Sequence, residues 1–595
     1  MKIPDHPRGK LTRITLKYHG RMPQVDFSDG RHRGSEIGGY INKDSALLLS
    51  TAHWYPTVPE QSTLLTYNLR VYAPKGQEVM AAGDRQPPGG FFKKQDHTSF
   101  RMQYPTEGIN VISGPYHVRT RKVKGISLAT FFTDDDEEQS EAYLSGMEGH
   151  LKNFEERFGP YPYSSMAVVD SPLMEGLGFP QFTIIGKRLL RIPGMIQGSL
   201  GHEMLHNWWG NSVYPNMERG NWSEGLTTYL HDHTGAVKKI GGAAARRELL
   251  ERYTIYTQSG PEPSLAEFRE REDGAGLAVG YDKAAYVFGM LESEIGTERF
   301  YSGLKRFGEE NRFRIATWED LKRAMEKESG QSLDTFFKQW VYTAGAPRIR
   351  IEGATLDAEG KDGKLILETD PLFHQKVPIA ITTDSEISMT VVSIDSTHQT
   401  IPLKASGPIR AITVDPEYTA LRKLLPEELP PTIASVLETD AILPVLFSEA
   451  LTPQERQQYE GFLEIAEVRY KEITDLTENK GPTVLFGPPD ETGQIGGWTP
   501  KDVPWSWNGR SLTIDKVTIS SGKDTGVFSW RGPNGAVQPV VWIVGYSAEG
   551  LRSLAMRLGY YMASSYVLLA DGKPAARGEW KSKGQPLEVT FPANP

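Results

Sequence analysis

Residues 199–230 read SLGHEMLHNWWGNSVYPNMERGNWSEGLTTYL, and the five residues His202-Glu203-Met204-Leu205-His206 within them decide how the chain is read. Residues four apart share one face of a helix, so both imidazoles can reach a single ion. Glu203 sits one step round that helix, where its carboxylate can meet a water beside the metal without binding the metal. Neutral imidazole nitrogen suits zinc, and three protein ligands with one open position make a hydrolytic site. Glu224, in Trp222-Ser223-Glu224-Gly225, opens a second amphipathic helix and can supply the third ligand. With 13 histidines in 595 residues, chance would place the His-Glu-x-x-His pattern in roughly 2 of 100 such chains. One Zn²⁺ held by His202, His206 and Glu224 is the expectation.

Outward from this stretch the chain changes character several times. Residues before about 133 alternate in strand fashion, as in Leu11–Tyr18 and Leu64–Ala73, with a short apolar run at Ala46–Thr51. From Glu138 to Phe158 the period becomes helical, stopped by Gly159-Pro160, and helical patterns then continue to Trp340. Strands return from Ile349 to Val414, Pro426–Pro431 is a Pro/Glu-rich linker, and the rest reads as α/β. The expected fold is multi-domain α+β. It comprises an N-terminal β domain (1–133), a mostly helical domain (134–345), a small β-sandwich (346–428) and an α/β accessory module (432–595). The Thr483–Gly487 and Val540–Gly545 strands lend the last module a Rossmann-like look without a dinucleotide fingerprint.

Composition narrows the function. Hydrophobic residues make up 38% and charged residues 24%, the balance of a folded chain. A net charge of -9, spread along the sequence, argues against nucleic acid as a partner. The absence of cysteine excludes disulfides and thiolate chemistry. No apolar run approaches a transmembrane segment, and Met1–Pro7 lacks an apolar signal region. A cytoplasmic protein, or an exported one whose leader has been removed, fits equally well.

The segment resembles the gluzincin aminopeptidases of the membrane alanyl aminopeptidase type. The seventeen residues between His206 and Glu224 are one fewer than in that family, which a shorter loop around Tyr214–Gly220 accommodates. Trp208-Trp209-Gly210-Asn211 and Glu224-Gly225 match it, and other landmarks follow in order: Phe158-Gly159, Tyr161-Pro162, Gln339-Trp340, Gly345-Ala346-Pro347 and Asp415-Pro416. Gly280-Tyr281-Asp282-Lys283 resembles the family's Tyr-x-Lys site, which implies that Tyr281 stabilises the oxyanion and acts beside Glu203 as a catalytic residue. The resemblance implies peptide or protein substrates, an aminopeptidase, and a thermolysin-like catalytic domain at 134–345.

The family binds the free α-amine with the glutamate of a Gly-x-Met-Glu-Asn strand. Here residues 172–181 read PLMEGLGFPQ. Matching Met-Glu makes Glu175 the amine ligand; matching the aromatic-Pro pair puts Gly178 there and leaves no carboxylate. Both registers stay open, and with them an endopeptidase or a peptidase with atypical end recognition. A catalytically silent peptide-binding scaffold is the rival from another class. His231 and His233, two apart, face different directions, the acidic run Asp134–Glu138 reads as a helix cap, and Trp208 and Trp209 read as packing residues. Gly487-Pro488-Pro489 is no phosphate loop.

Overall fold

In the computed structural model, the described residues are 13–27, 37–57, 64–87, 97–173, 175–258, 261–270, 274–437, 441–476, 481–490, 493–495, 499–500, 503–532, 539–580 and 585–592. Met1–Pro7, where a leader would begin, and the first two residues of the Leu11–Tyr18 run lie outside them. The chain is α+β and forms two compact units, Met1–Tyr214 with Leu304–Ala316 and Pro215–Gly303 with Thr317–Pro595.

Among the described residues, the first unit holds three sheets of three or more strands. One is four-stranded, in the spatial order Gly39–Ile41, Ala46–Leu48, Val111–Gly114, Glu78–Ala81; a second joins Leu65–Val71, Thr98–Thr106 and Asp84–Arg85. Val79, Ala81, Phe100 and Val111 form the core of these two. The alternating run at Arg13–Tyr18 carries no strand, and Ile14, Leu16 and Tyr18 are exposed. Alternation alone does not make a strand, because a ladder needs a partner for its backbone groups.

The third sheet positions the candidate site. Its order is Gly176–Phe179, Phe182–Gly186, Ser165–Ser171, Ile126–Phe132, His117–Val123, so it draws strands from both sides of residue 133. The central strands run parallel, and Gly176–Phe179 lies antiparallel at the edge. Glu137–Phe158 is the crossover helix between Ile126–Phe132 and Ser165–Ser171, as its period predicts. Asp136 caps it by accepting from Gln139 N, and Tyr143, Leu144, Met147, Leu151, Phe154 and Phe158 form its buried stripe. The neighbouring acids pair with cations, Asp135 with Arg119 and Asp134 with Lys187, so this run is a cap.

The second unit contains further helices, a sandwich and a mixed sheet. Helices Trp318–Ser329 and Asp334–Trp340 fall where their periods place them. The sandwich packs Arg348–Leu356, Asp362–Asp370 and His398–Lys404 against Ile387–Ile394, Gln375–Thr383 and Ile409–Val414. A strand from far along the chain, Glu588–Thr590, pairs with Ala411–Thr413 and completes the second sheet. Arg422, 1% exposed, donates to Asp415 and, with both terminal nitrogens, to Glu428. Beyond the linker lies a seven-stranded sheet in which Tyr470–Glu472, Leu443–Phe447, Thr483–Phe486 and Pro539–Gly545 run parallel. Thr525–Arg531, Tyr566–Ala570 and Lys573–Gly578 continue it antiparallel. Helices Pro453–Ile465 and Ala548–Ala555 cover one face, and the small sheet containing Leu512–Ile514 covers the other. Among the described residues no helix is long and apolar enough to cross a membrane.

Candidate metal centre

His202 and Glu203 lie on the short α-helix Gly201–Leu205, entered through a π-helical turn at Ile196–Leu200, with His206 capping its end. Leu200, Met204 and Leu205 are fully buried and fix the apolar side of this segment, which leaves the imidazoles on the other side. The two Nε2 atoms are 3.2 Å apart. His206 Nδ1 lies 2.9 Å from the Trp209 carbonyl oxygen, which only accepts, so Nδ1 carries the proton and Nε2 the lone pair. Trp208 and Trp209 are buried against Phe154, Tyr161, Phe158 and Phe307 and pack the core, as read from the sequence.

Glu203 faces the edge strand at close quarters. A Cβ placed on Gly176 would lie 3.3 Å from Glu203 Oε1, and one on Gly178 only 2.6 Å from Oε2. Two glycines at alternate positions therefore present bare backbone to the carboxylate. Glu175 precedes this strand, half-buried, and its carbonyl accepts from Gly186 N in register with the ladder. In that register it is out of phase with Gly176 and Gly178.

Glu224 lies on the helix Ser223–Thr227, whose start is held by Asn221. The Asn221 side chain accepts from Ser223 N and Oγ, and the Asn221 backbone N–H donates to the Phe268 carbonyl. The helix continues through a second π-helical segment, Thr228–His233, and Tyr281 occupies a third, Ala278–Lys283. These two helices touch through glycine. A Cβ on Gly225 would stand 2.2 Å from Ala284 Cβ, and one on Gly280 would enter the Phe268 ring, which packs edge-on to Tyr281.

The residues after Tyr281 are both anchored. Asp282 accepts from Arg252 at 2.7 and 2.9 Å, although burial still pushes its carboxyl above the ordinary range. Lys283 is fully buried and donates to the Gly345 carbonyl at 2.8 Å, with Glu262 3.9 Å away. Burial pulls the Lys283 ammonium down to about 8. Glu262 is buried too, but Lys283 and Lys423 outweigh that burial and keep it below the ordinary range. His233 stacks on Tyr229, and burial, reinforced by Arg246 and Arg252, pulls it down to about 4.

His202, His206 and Glu224 each offer one ligand atom, and these atoms lie within 4.8 Å of one another. Among the described residues this is the group of metal-binding side chains so arranged. Zinc–nitrogen bonds of about 2.0–2.1 Å in tetrahedral geometry set ligand nitrogens about 3.3 Å apart. The 3.2 Å between the two imidazoles fits that spacing, and two imidazoles with one carboxylate form a donor set that suits zinc.

Sequence reasoning did not anticipate the three π-helical segments, which adjoin His202, follow Glu224 and contain Tyr281. Such segments gather at functional sites, but no residue pattern announces them. The strand's Gly-x-Gly was a readable signal of close approach.

Residues 195–340 match the peptidase family M1 domain. The chain is 23% identical over 250 residues to the tricorn protease-interacting factor F2 of Thermoplasma volcanium, covering 38% of this chain and 30% of that one. It is 24% identical over 331 residues to aminopeptidase N of Streptomyces lividans, covering 50% and 37%. It thus spans well under half the length of these relatives. Among solved structures, the aminopeptidase A of Legionella pneumophila in complex with aspartic acid aligns with a TM-score of 0.53 at 15% identity, covering 67% of this chain and 49% of that one. That last likeness is one of fold. The domain match and the aminopeptidase N relatives bear out the resemblance to gluzincin aminopeptidases and support a metallopeptidase.

Proposed function

We propose that the protein is a zinc-dependent metallopeptidase that hydrolyses peptide bonds, acting as an aminopeptidase through a thermolysin-like arrangement of its catalytic helices. The observation that carries this reading is the cluster of His202, His206 and Glu224 ligand atoms, with Glu203 on the same helix as the two histidines. When bound, zinc would activate a water for attack and polarise the scissile carbonyl. Glu203 takes a proton from the attacking water on its carboxylate and returns it to the leaving amine nitrogen. The Tyr281 hydroxyl donates to the substrate oxygen as that atom gains negative charge. His206 keeps its tautomer through the Trp209 carbonyl.

End recognition is assigned to the stretch from Glu175 to Gly178. Glu175 is the carboxylate of that stretch for a substrate α-amine, one residue out of phase with the glycine face, and Gly178 is the backbone that borders Glu203. A second reading, an endopeptidase, is favoured by one observation: Gly178, which faces Glu203, carries no side chain, and a Cβ there would meet the Glu203 carboxylate at 2.6 Å.

The test compares wild type with Glu203→Gln, both zinc-loaded, on a peptide library half free and half acetylated at the N-terminus, with products read by mass spectrometry. The variant should keep its zinc and lose about 10²–10⁴-fold in turnover. Loss of single residues from the free half alone identifies an aminopeptidase, and internal cuts in both halves select the second reading. Wild-type turnover in Glu203→Gln would sink the mechanism.

A further inference from the structure

Glu203 and the strand beside it belong to different elements, yet a Cβ on that strand would come within 2.6 Å of the carboxylate. Contact this close needs something that fixes the spacing. The strand Gly176–Phe179 reverses into Phe182–Gly186 through Pro180 and Gln181, with Phe179 and Phe182 paired. Gln181 has φ +69°, the left-handed region that a side chain other than glycine's disfavours. Proline followed by a positive φ makes a type II turn, whose second central position glycine normally takes. A glutamine persists there only where its surroundings over-determine it.

The surroundings do so. Gln181 is 2% exposed; its side chain accepts from Gly83 N and donates to Ser165 Oγ, and its carbonyl accepts from Ala167 N. Its own N–H donates 2.9 Å to Asn207 Oδ1. Asn207 follows His206 directly and is fully buried. The same Oδ1 accepts from the Tyr161 hydroxyl at 3.2 Å, and Nδ2 donates to the Met204 carbonyl at 3.3 Å. One side chain is thus bonded to the turn that ends the edge strand, to the segment that leads into Ser165–Ser171, and back to the helix that carries His202 and Glu203.

We propose that Asn207 is a positioning residue, holding the Gly176–Phe179 strand at its close spacing over the Glu203 carboxylate and so aligning an extended substrate lying on that edge. It touches neither the metal group nor the reacting atoms; it acts through Gln181 and the strand. The proposal rests on reading Glu203 as the catalytic carboxylate. Its structural half, that Asn207 fixes the strand, is measurable without turnover.

The experiment compares full-length wild type, Asn207→Asp and Asn207→Leu, each loaded with zinc and checked for metal content. Asp keeps an oxygen that accepts from both Gln181 N and Tyr161 Oη, and its buried carboxyl, protonated, replaces the Nδ2 donor to the Met204 carbonyl; Leu keeps the volume and accepts nothing. On a hexapeptide, Asn207→Leu should raise KM about tenfold with kcat within threefold, and Asn207→Asp should stay within threefold on both. In parallel, hydrogen exchange should quicken about tenfold or more at residues 176–179 in Asn207→Leu while Ser165–Ser171 keeps its protection. If Asn207→Leu does not fold, Asn207→Ala takes its place, since a smaller side chain forces no misfit. Equal losses in the Asp and Leu variants, or unchanged exchange at 176–179, would overturn the proposal. If wild type cuts no peptide, the functional reading fails by itself, and the exchange data still decide whether Asn207 sets the strand.

Discussion

Adding one methyl group at Gly178 tests the geometry of the candidate site more sharply than removing any ligand. The new Cβ would stand 2.6 Å from Glu203 Oε2. Ordinary contact is near 3.4 Å, so the carboxylate must retreat by about 0.8 Å. Glu203 can yield, because its carboxylate is the end of a flexible side chain, at about 0.5–1.5 kcal/mol for leaving its rotamer. Alanine is itself preferred over glycine inside a strand by about 0.5–1 kcal/mol, so overall stability should change little. Activity should not be spared, since a misplacement near 1 Å at a catalytic group costs about 10²-fold, or about 2.7 kcal/mol in the barrier. Gly176→Ala is the control, its Cβ reaching only 3.3 Å from Oε1, and it should stay within about threefold of wild type. The assay is kcat/KM on a peptide substrate, with zinc stoichiometry and thermal melting measured on the same samples. Gly178→Ala with full zinc, an unchanged melt and wild-type kcat/KM would refute the reasoning, as would a Gly176→Ala variant more damaged than Gly178→Ala.

Two further predictions concern the frame around the site. Arg422→Met leaves Asp415 and Glu428 buried without their guanidinium, and removing one partner of such a group costs about 3–5 kcal/mol, so the urea midpoint of the sandwich transition should fall clearly. An unchanged midpoint would mean that the triad contributes nothing net. His233 is held neutral in the fold, with a pKa of about 4 against an ordinary 6.5, so between those values the unfolded chain binds a proton that the folded chain refuses. Stability should therefore decline as the pH falls from about 6.5 to 4, by up to about 3 kcal/mol, and His233→Phe should flatten that part of the profile. A variant whose acid-side slope matches wild type would clear His233 of that role.

The candidate metal group was legible because metal binding requires particular residue types at helical spacing. His202, Glu203 and His206 announce themselves, and Glu224 follows from the need for a third ligand. The long helix ending at Phe158 was equally readable, since its apolar stripe and its Asp136 cap are both local. What escaped depends on partners distant in sequence. Nothing in His117–Phe132 says that it will pair with Ser165–Ser171, and nothing in Arg13–Tyr18 says that it will find no ladder. The choice between Glu175 and Gly178 was a matter of one strand's phase, and period-2 elements give no internal mark of register. Asn207 looked like an unremarked neighbour of His206 because its role lies in where Gln181 N arrives.

The strand Glu588–Thr590 has a consequence for how the chain is made. Its partner, Ala411–Thr413, leaves the ribosome 177 residues earlier, an interval of about 9–35 s at 5–20 residues per second. Through that interval the sandwich must wait with one flank open, while the entire seven-stranded sheet is synthesised and folds as a detour between two neighbouring strands. Leu587, buried in the sandwich core, and the bond from Val414 N to its carbonyl can form only after that detour. A chain truncated after Trp580 should accordingly display an unzipped sandwich beside a finished α/β layer, the loss of Glu588–Thr590 loosening a domain that begins more than two hundred residues upstream.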